Sequence, residues 1–404
     1  MREHKRQGVN DMAILAVNAG SSSLKFSVHP VVGGAVQASV LSGNIQGLEP
    51  QGVPEMGWTF EGQSFSEPVV SKGIDIFEAA LLALRNLLQG MSQLPPLQAI
   101  SHRVVHGGQH FTKSLIVNQA VLADLAKLNS LAPLHQPHNL AGIEAFQKAF
   151  PALPQVACFD TAFHVTVPEE ERQFALPQAL TTQGIRRYGF HGLSYQYIMG
   201  TLQARSARAG GKVLMAHLGN GASLCMAEAG LSRATTMGFS ALDGLMMGTR
   251  SGSLDAGVLL YLLEQSWTHD QIQTLLYKQS GLLGVSGISA DMRKLRSENS
   301  PAAKWAIELF THRIVRECGA LIACRQGLDV LAFSGGIGEH DAQLRSDVCQ
   351  QLTWLGVRID ETQNSLACGD DIRAIHTSGS SIEVWVIPTD EGRVAAREAA
   401  ALCC

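Results

Sequence analysis

The feature that most constrains the fold is a turn rich in glycine and hydroxyl groups, Asn18–Lys25, which lies between two apolar segments near the N-terminus. Ile14–Val17 before the turn is typical of a buried strand, and the residues after it alternate between apolar and polar with the period of a second strand. Gly20 allows a tight turn, and the amides, hydroxyls and ammonium group beside it suit a phosphate. Three polar side chains are predicted to share one face of this hairpin: Ser21, Ser23 and Lys25. An ordinary polar hairpin explains the same pattern without a ligand.

The same design recurs at Lys212–Cys225, where an apolar strand again leads through a glycine-rich turn into a second strand. His217 and Gly219 stand where Asn18 and Gly20 stand in the first copy, and the second turn is expected to be one residue longer. Two copies predict two related halves that each present a hairpin to a phosphate at a cleft between them. Chance similarity of two glycine hairpins is the alternative.

Length and composition narrow the class of protein. The 404 residues are enough for two or more domains with cores of their own. An apolar fraction of 46% and a charged fraction of 16% indicate a compact globular protein. Because the formal net charge is −4 and no dense Lys/Arg stripe is present, no nucleic acid is expected as a partner.

The sequence also indicates a cellular location. We recognise no apolar run of membrane-spanning length, and Met1–Gly8 is charged without the apolar segment of a secretory signal. The eight cysteines are scattered and lack the spacing of metal ligands. We therefore expect a cytoplasmic protein with reduced thiols and no membrane partner.

Two charged side chains interrupt apolar strand patterns in the first half of the chain. Arg103 lies within Ala99–Val105, just before a Gly-Gly turn, and its fork of donors favours an anion over a purely structural ion pair. Asp160 ends the apolar segment Gln155–Asp160, at the end of a strand where open α/β sheets place ligand-binding side chains. It is a better candidate for Mg²⁺ than for a helix cap.

Several histidines stand in distinctive surroundings. The proline-bounded segment Ala132–Asn139 is predicted to be a loop and carries His135 and His138, a pair that favours a functional site but is not a metal site by itself. His191 lies between an aromatic residue and a glycine, ahead of a helix that Ser194 is expected to cap.

Two further segments suit anions. Thr235–Asp255 is rich in methionine and glycine without a clear period, which is typical of an adaptable active-site loop, and Arg250 is its natural anion contact. The apolar strand Leu328–Phe333 leads into the glycine-rich turn Ser334–Glu339, and a helix is predicted to start near Asp341. Such a strand, turn and helix N-terminus is a phosphate or nucleotide platform.

Together these segments make the chain similar to the acetate kinase family from Ile14 to Arg397. Any one of them is a weak signal, whereas eight in order are highly specific. The segments are Asn18–Lys25, His102–Gly108, Pro133–His135, Phe159–His164, Tyr188–Gly192, His217–Ser223, Met247–Gly252 and Gly335–Glu339.

The resemblance implies the fold of the sugar kinase–actin superfamily, an α/β fold with two ribonuclease-H-like domains around a central cleft. The implied N-terminal domain is 12–160 plus 391–404, with the phosphate-binding hairpin and the C-terminal helix. The implied C-terminal domain is 161–390, which binds the nucleotide and dimerises. A homodimer follows from the resemblance.

The implied reaction is reversible phosphoryl transfer between ATP and acetate, which gives acetyl phosphate and ADP, with Mg²⁺ (or Mn²⁺) as cofactor. A carboxylate is already ionised at neutral pH, so no general base is needed, and positioning with charge neutralisation supplies catalysis. A propionate kinase of the same family is the first alternative. A sugar or polyol kinase that uses Asp160 as a base, or an actin-like ATPase switch, is a more distant one.

The resemblance also implies site residues. The catalytic set comprises Arg103, Asp160, His191, Arg250, His135 and Asn18, and the metal set comprises Asn18, Asp160 and Glu391. ATP or ADP would be bound by Lys25, Ser21, Ser23, His217, Gly219, Asn220, Gly221, Asp291, Arg293, Gly335, Gly336, Ile337 and Gly338.

The substrate set implied by the resemblance comprises Arg103, Val105, Leu134, Phe190 and Ala241, of which all but the arginine surround the acyl chain. The family has a proline where this chain has Ala241, a change that widens the pocket and makes propionate a candidate substrate. Other departures from the family pattern are Gln136, Ser253–Leu254, His340 and Asp390.

Overall fold

The computed structural model describes residues 12–20, 22–49, 52–71, 73–133, 135–369 and 371–404. The chain divides into two compact units. The first unit is Met1–Ala162 with Asp390–Cys404, and the second unit is Phe163–Thr389. This division differs from the domains expected from the sequence at residues 161, 162 and 390.

Each unit is built on one β-sheet. The strands of the first unit are β1 (Met12–Ala19), β2 (Ser23–Val32), β3 (Ala35–Val36), β4 (Leu41–Gln46), β5 (Glu55–Phe60), β6 (Gln63–Pro68), β7 (Leu97–Val104), β8 (Leu115–Ile116) and β9 (Gln155–Phe159). The strands of the second unit are β10 (Lys212–Leu218), β11 (Ala222–Glu228), β12 (Leu231–Thr235), β13 (Val330–Ser334), β14 (Arg373–Ala374) and β15 (Glu383–Val386).

Helices connect the strands. They are α1 (Ile76–Gly90), α2 (Gln119–Ala126), α3 (Gln136–Ala149), α4 (Glu169–Arg172), α5 (Gln178–Thr182), α6 (Gly192–Gln203), α7 (Ala256–Glu264), α8 (His269–Lys278), α9 (Gly281–Ser286), α10 (Met292–Ser297), α11 (Pro301–Arg325), α12 (Gly335–His340), α13 (Ala342–Gln351), α14 (Glu361–Leu366) and α15 (Glu391–Cys403). In the described part of the chain, no helix is both long and apolar enough to cross a membrane.

The two sheets share one topology. In the first unit the central order is β4-β2-β1-β7-β9, with antiparallel pairing on the β4 side of β1 and parallel pairing on the other side. In the second unit the order β12-β11-β10-β13-β15 has the same directions. This is the ribonuclease-H-like arrangement, so the predicted duplication is confirmed.

The two hairpin turns differ in length, but not as the sequence suggested. Ala19 pairs with Leu24 in the first hairpin, so four positions of the chain separate this pair. In the second hairpin Leu218 pairs with Ala222, which leaves only residues 219–221. The expectation of a longer second turn is therefore wrong, because the strand ladder continues further and Gly219 N closes the turn on the Gly221 carbonyl at 3.0 Å.

The first unit forms its core as the periodicity predicts. All residues of Ala13–Val17 are buried, and on β2 Leu24, Phe26 and Val28 are buried in alternation. Helix α1 packs its apolar stripe on this sheet, and Asp75 caps it by accepting from the backbone N–H groups of the first turn. The end of β1, which carries Asn18, is therefore supported by a packed apolar core.

Three local predictions are wrong. The segment 136–139 is the first turn of α3, since Pro137 fits a helix N-terminus, so only His135 of the two loop histidines precedes the helix. Ser194 lies inside α6, where its hydroxyl bonds to His217 instead of capping. The glycine-rich turn after β13 is itself the short helix α12, which Gly335 opens with a left-handed φ of 75°.

Candidate functional site

In the first unit, Arg103 is held by two carboxylates. Its Nε donates to Asp160 Oδ1 at 2.9 Å and its Nη2 to Asp160 Oδ2 at 2.6 Å, a bidentate pair. Its Nη1 lies 3.1 Å from Glu391 Oε2. Strand β7 supplies Arg103, the residue after β9 supplies Asp160, and the first residue of α15 supplies Glu391. Three separate elements thus fix one guanidinium.

Burial and the two neighbouring carboxylates act in opposite directions on the pKa of Arg103. Burial by itself would lower the pKa of Arg103, but Asp160 and Glu391 outweigh burial and raise that pKa above its ordinary value. The carboxylate of Asp160 is almost fully buried, whereas the Arg103 side chain keeps about a fifth of its surface accessible (21%). Arg103 is therefore a fixed guanidinium with part of its surface accessible, within a cluster in which two carboxylates surround it.

The start of α3 organises the backbone beside Arg103. The buried Gln136 side chain donates to the His106 carbonyl at 3.0 Å and accepts from its N–H at 3.1 Å. Asn139 accepts from Val105 N at 3.0 Å and donates to the Ala19 carbonyl at 2.7 Å. We did not predict Asn139 as a positioning residue, and Gln136 was noted only as a departure from the family. A buried amide in an amphipathic helix is the signal that could have revealed them.

The other predicted residues of the first unit have these positions. Asn18 pairs in register with the exposed Lys25, and Ser23 opens β2 on the same face. Val105 and His135 are both half-buried. Val105 precedes His106, whose backbone Gln136 holds, and His135 precedes Gln136 itself. Ser21 and Leu134 lie outside the described residues, so their predicted roles stay predictions.

In the second unit, His191 is fixed by a buried chain of hydroxyl groups. Its Nδ1 lies 2.8 Å from Ser223 Oγ, and Ser223 Oγ lies 2.5 Å from Tyr195 Oη. Burial raises the pKa of Tyr195 well above its ordinary value, so the phenol keeps its proton at neutral pH. When Ser223 donates to Nδ1, the proton of a neutral His191 imidazole lies on Nε2. His191 has a left-handed φ of 58°.

His217 belongs to the same cluster. Its ring stacks on His191 with 4.2 Å between the ring centroids, and its Nδ1 lies 2.8 Å from Ser194 Oγ. The Thr389 hydroxyl donates to Ser194 at 3.0 Å. Two imidazoles are thus oriented side by side by hydroxyl groups from α6 and its neighbours.

Arg250 and His191 converge on the backbone of Gly221. A Cβ atom at Gly221 would lie 2.9 Å from Arg250 Nη2 and 3.3 Å from His191 Nε2. Arg250 Nη1 donates to the Ala241 carbonyl. A guanidinium and an imidazole nitrogen beside backbone without a side chain form a place for an anionic oxygen when the imidazole carries a proton at Nε2.

The glycine platform lies at the same end of the second sheet. Glu339 Oε1 accepts from Gly335 N at 2.8 Å and from Thr389 N at 3.0 Å. Gly336 has open space where a side chain would be, and a Cβ at Gly219 would lie 3.8 Å from Gly336 N. The hairpin turn and the start of α12 are therefore neighbours, as a phosphate platform requires.

The remaining predicted nucleotide residues are partly connected to this cluster. Asn220 accepts from Gly248 N at its carbonyl, and Ala290 lies beside Gly248. Asp291 caps α10 and pairs with Arg293 at 2.7 Å, with both side chains exposed. The Arg293 hydrogen bond lowers the pKa of Asp291, so the cap is a carboxylate at neutral pH.

Phe190 and Ala241 have different surroundings. Phe190 is buried, and its carbonyl lies 2.9 Å from His164 Nε2. Ala241 is half-buried in the loop between β12 and α7, which is irregular as predicted, although Met237, Met246 and Met247 within it are buried.

The oxygen groups of the first unit suit Mg²⁺. Asp160 and Glu391 offer carboxylate oxygens and Asn18 an amide oxygen, which are the hard donors that this ion prefers. Within the described residues, no group of three or more His, Cys, Asp and Glu side chains is placed to hold a metal. A Mg²⁺ ion there would therefore keep water or phosphate ligands, as it usually does.

Fold and site together define a class. Two ribonuclease-H-like units, one with a glycine-rich helix start beside its hairpin turn, place the chain among proteins with the sugar kinase–actin fold. Solved structures agree: a propionate kinase from Francisella tularensis aligns with a TM-score of 0.86 at 35% identity, covering 96% of this chain and 98% of that one. An acetate kinase from Porphyromonas gingivalis aligns with a TM-score of 0.84 at 32% identity, covering 95% and 98%.

The sequence comparison is more specific. The acetokinase family model matches residues 13–397. An acetate kinase of Rhodopseudomonas palustris is 48% identical over 389 residues, covering 95% of this chain and 96% of that protein, and one of Rickettsia felis is 41% identical over 388 residues, covering 95% and 98%. The chain belongs to the acetokinase family.

Proposed function

We propose that this chain transfers the γ-phosphoryl group of ATP to acetate, reversibly, to give acetyl phosphate and ADP. The observation that carries the proposal is the convergence of Arg250 Nη2 and His191 Nε2 on Gly221, next to a glycine platform suited to phosphates. Acetate is already an anion and needs no base, so the enzyme has to bind it, orient it and neutralise charge.

The first unit supplies fixed charge. Arg103 would bind an oxygen of the substrate carboxylate or of the transferring phosphoryl group with its accessible edge, while Asp160 and Glu391 hold the guanidinium in place. Asn18, Asp160 and Glu391 would hold Mg²⁺ through its waters. When bound, the ion would neutralise charge on the phosphate chain.

The second unit supplies hydrogen-bond donors. Arg250 and the Nε2–H of His191 would stabilise the negative charge that spreads over the phosphoryl oxygens. The Gly219–Gly221 turn and the Gly335–Gly338 segment would cradle the nucleotide phosphates with backbone N–H groups. Lys25 and Ser23 of the first unit would bind a phosphate oxygen, and Asp291 and Arg293 of the second unit the nucleoside end of the nucleotide.

One contact favours a carboxylate as acceptor over a sugar or polyol. Both oxygens of Asp160 accept from Arg103, so a base role toward a hydroxyl group would have to compete with the arginine, while the remaining lone pairs can accept from water on Mg²⁺. A coupled assay of ADP release tests the choice. We expect turnover with acetate and none with glycerol; glycerol-dependent turnover would instead support the polyol kinase.

Propionate is the second candidate substrate, because Ala241 stands where the family has proline. The test is ATP-dependent hydroxamate formation with acetate, propionate and butyrate, in the wild type and in Ala241→Pro. If propionate rivals acetate and the variant restores preference for acetate, Ala241 sets the chain length. An acetate preference that the variant leaves unchanged contradicts the pocket argument, and no turnover with any of the three refutes the carboxylate kinase.

A homodimer is supported by α7. None of its residues is buried, although it is largely apolar: Leu260 is 63% exposed, Tyr261 59% and Leu263 53%. Such a face is typical of an interface, and a second copy of the chain is the occupant we propose. Light scattering of wild type and Leu260→Glu tests this, with a dimer expected for the first and a monomer for the second. A monomeric wild type refutes it.

We also propose a cytoplasmic location. Two exposed cysteines, Cys324 and Cys404, have free thiols. Free exposed thiols persist in a reducing compartment and oxidise outside it. Fractionation of the native cells with thiol labelling tests this, and recovery of the protein with oxidised thiols in an extracytoplasmic fraction would contradict it.

A further inference from the structure

The loop that carries Ala241 and Arg250 is anchored by a residue that the proposed mechanism does not use. Arg187 Nη1 donates to the carbonyls of Thr236 and Met237, each at 3.0 Å, and lies 3.3 Å from Asp243 Oδ2. Arg187 stands four positions before His191 in the sequence. This guanidinium therefore connects the segment that ends in His191 with the start of the Arg250 loop.

Asp243 continues the connection to the far side of the loop. Ser253 Oγ donates to Asp243 Oδ1 at 2.7 Å and accepts from Gly244 N at 3.1 Å. The backbone adds a bond from Ser253 N to the Gly244 carbonyl at 2.9 Å. The carboxylate of Asp243 thus accepts from one partner at each oxygen.

The Asp243–Ser253 bond lies next to the bond that holds the predicted catalytic arginine. Arg250 donates to the Ala241 carbonyl, so 241 is joined to 250 and 243 to 253. These two hydrogen bonds connect the same two segments of the loop. Their ends lie two residues apart in the first segment (241 and 243) and three residues apart in the second (250 and 253). A shift of one segment against the other would move the Arg250 guanidinium away from Gly221.

Two glycines show how closely the loop is packed around Asp243. A Cβ atom at Gly238 would lie 2.5 Å from Asp243 Oδ2, so the carboxylate lies directly over the backbone there. Gly244 has a φ of 97°, and a Cβ there would lie 2.6 Å from the Thr236 carbonyl oxygen. The backbone therefore has little freedom to adjust if the carboxylate changes its partners.

We propose that Asp243 and Ser253, together with Arg187, form a clamp that positions Arg250 relative to His191 for phosphoryl transfer. They are positioning residues, since their contacts are with the loop and not with the predicted substrate groups. The inference rests on the proposed function, because it assigns Arg250 and His191 to one reaction. The clamp acts on groups used in the transition state, so its loss lowers kcat more than it raises KM.

The experiment measures steady-state acetyl phosphate formation in Asp243→Asn, Ser253→Ala and the double variant. Ser253→Thr keeps the hydroxyl group, and Ser240→Ala is the matched control, because Ser240 accepts from Leu242 N in the same loop without touching the clamp. Ser253 is exposed, so Ser253→Ala is expected to fold. Thermal unfolding is recorded for every variant.

We expect Asp243→Asn to lower kcat by about tenfold, with the KM values for acetate and ATP changed by no more than about twofold. The double variant should lose no more than the larger single loss, because the two residues act as one unit. Ser253→Thr and Ser240→Ala should retain wild-type kcat. Losses that multiply, or a lower unfolding temperature with unchanged kcat, would overturn the clamp.

A second readout keeps the clamp separate from the proposed function. The imidazole NMR signal of His191, assigned by its absence in His191→Gln, should shift in Asp243→Asn and remain in place in Ser240→Ala. This shift does not depend on turnover. An inactive wild type would refute the proposed function, whereas an unmoved His191 signal in Asp243→Asn would refute the clamp.

Discussion

The two units of this protein share a strand order, but they hold their predicted site residues by different means. The first unit uses opposite charges, with Arg103 fixed by Asp160 and Glu391. The second unit uses hydroxyl groups and absent side chains, with His191 fixed by Ser223 and facing Gly221. One fold thus supports a guanidinium held by carboxylates in the first unit, and in the second an imidazole held by hydroxyl groups beside the Arg250 guanidinium.

The difference begins at equivalent positions of the two sheets. Asn18 near the end of β1 corresponds to His217 near the end of β10. The neighbouring parallel strand carries Arg103 in the first unit, whereas in the second unit it ends in Ser334 and then glycines. A strand end that carries a charged side chain needs carboxylates around it. A strand end that is followed by residues with small side chains leaves room for backbone N–H groups and a nucleotide. The predictions below test this contrast.

The largest effect is expected from Arg103→Gln. The variant keeps hydrogen-bonding capacity but removes the charge that two carboxylates orient, so acetate and the transferring group lose their fixed cation. We expect kcat/KM for acetate to fall about a thousandfold. Hydroxamate formation measures it.

Lys127→Gln is the control for Arg103→Gln. It removes a cation whose pair with Asp124 is exposed, 2.7 Å long and confined to one turn of α2. Activity should remain within about twofold of the wild type. If Arg103→Gln were equally mild, the first unit would not supply the charge for the reaction.

The next largest effect compares the two hairpin turns. Gly221→Ala would place a methyl group against Arg250 and His191, and we expect kcat to fall about a hundredfold because both groups must move. Gly20→Ala meets only ordinary contacts with Ser23, at 3.5 Å and beyond, and should stay within about threefold of the wild type. Equal losses in the two variants would erase the contrast between the turns.

The sequence predicted those parts of the site in which local pattern decides structure. Apolar strands that carry Arg103 or lead into Asp160 or a glycine-rich turn were recognisable from periodicity, and the structure forms those strands. The pairing of Arg103 with Glu391 was not recognisable from the sequence, because the two residues are distant along the chain and only the sheet and α15 bring them together. The combination of Arg187, Asp243 and Ser253 was missed for the same reason.

Local errors have a different cause. The sequence placed Ser194 as a helix cap, since serine favours that position, but the side chain bonds to His217 and tertiary contacts prevail over capping preference. The extra residue expected in the second hairpin came from counting along the sequence. Register depends on how far the strand ladder runs, which the count does not include.

The third prediction concerns a histidine with a structural role in the first unit. Burial lowers the pKa of His102 to about 4, although its hydrogen bond to Gln155 at 2.7 Å acts in the other direction. The unfolded chain binds this proton near pH 6.5, so His102 contributes full stability above that pH and loses it as the pH falls toward 4. At pH 5 the free energy of unfolding is lower by about 2 kcal/mol because of this proton.

The measurement is the free energy of unfolding in urea between pH 7.5 and 5, in wild type and in His102→Gln. The variant should show a shallower loss at low pH, whereas His269→Gln, which changes an exposed imidazole on α8, should leave the slope unchanged. An unchanged slope in His102→Gln would show that this histidine does not set the acid sensitivity.

The smallest effect is expected from Ser223→Ala, which tests how the second unit orients its imidazole. The change removes the hydroxyl group between Tyr195 and His191, so the imidazole loses the partner at Nδ1 that orients its ring and its proton. We expect kcat to fall about tenfold. Ser232→Ala is the matched control, because Ser232 is also buried and lies 2.9 Å from the Nδ1 of His164, which is not among the predicted catalytic residues. Both variants should lose similar stability, and only Ser223→Ala should lose turnover. If both lose turnover alike, the hydroxyl groups of this unit serve packing, and His191 does not depend on a directed proton.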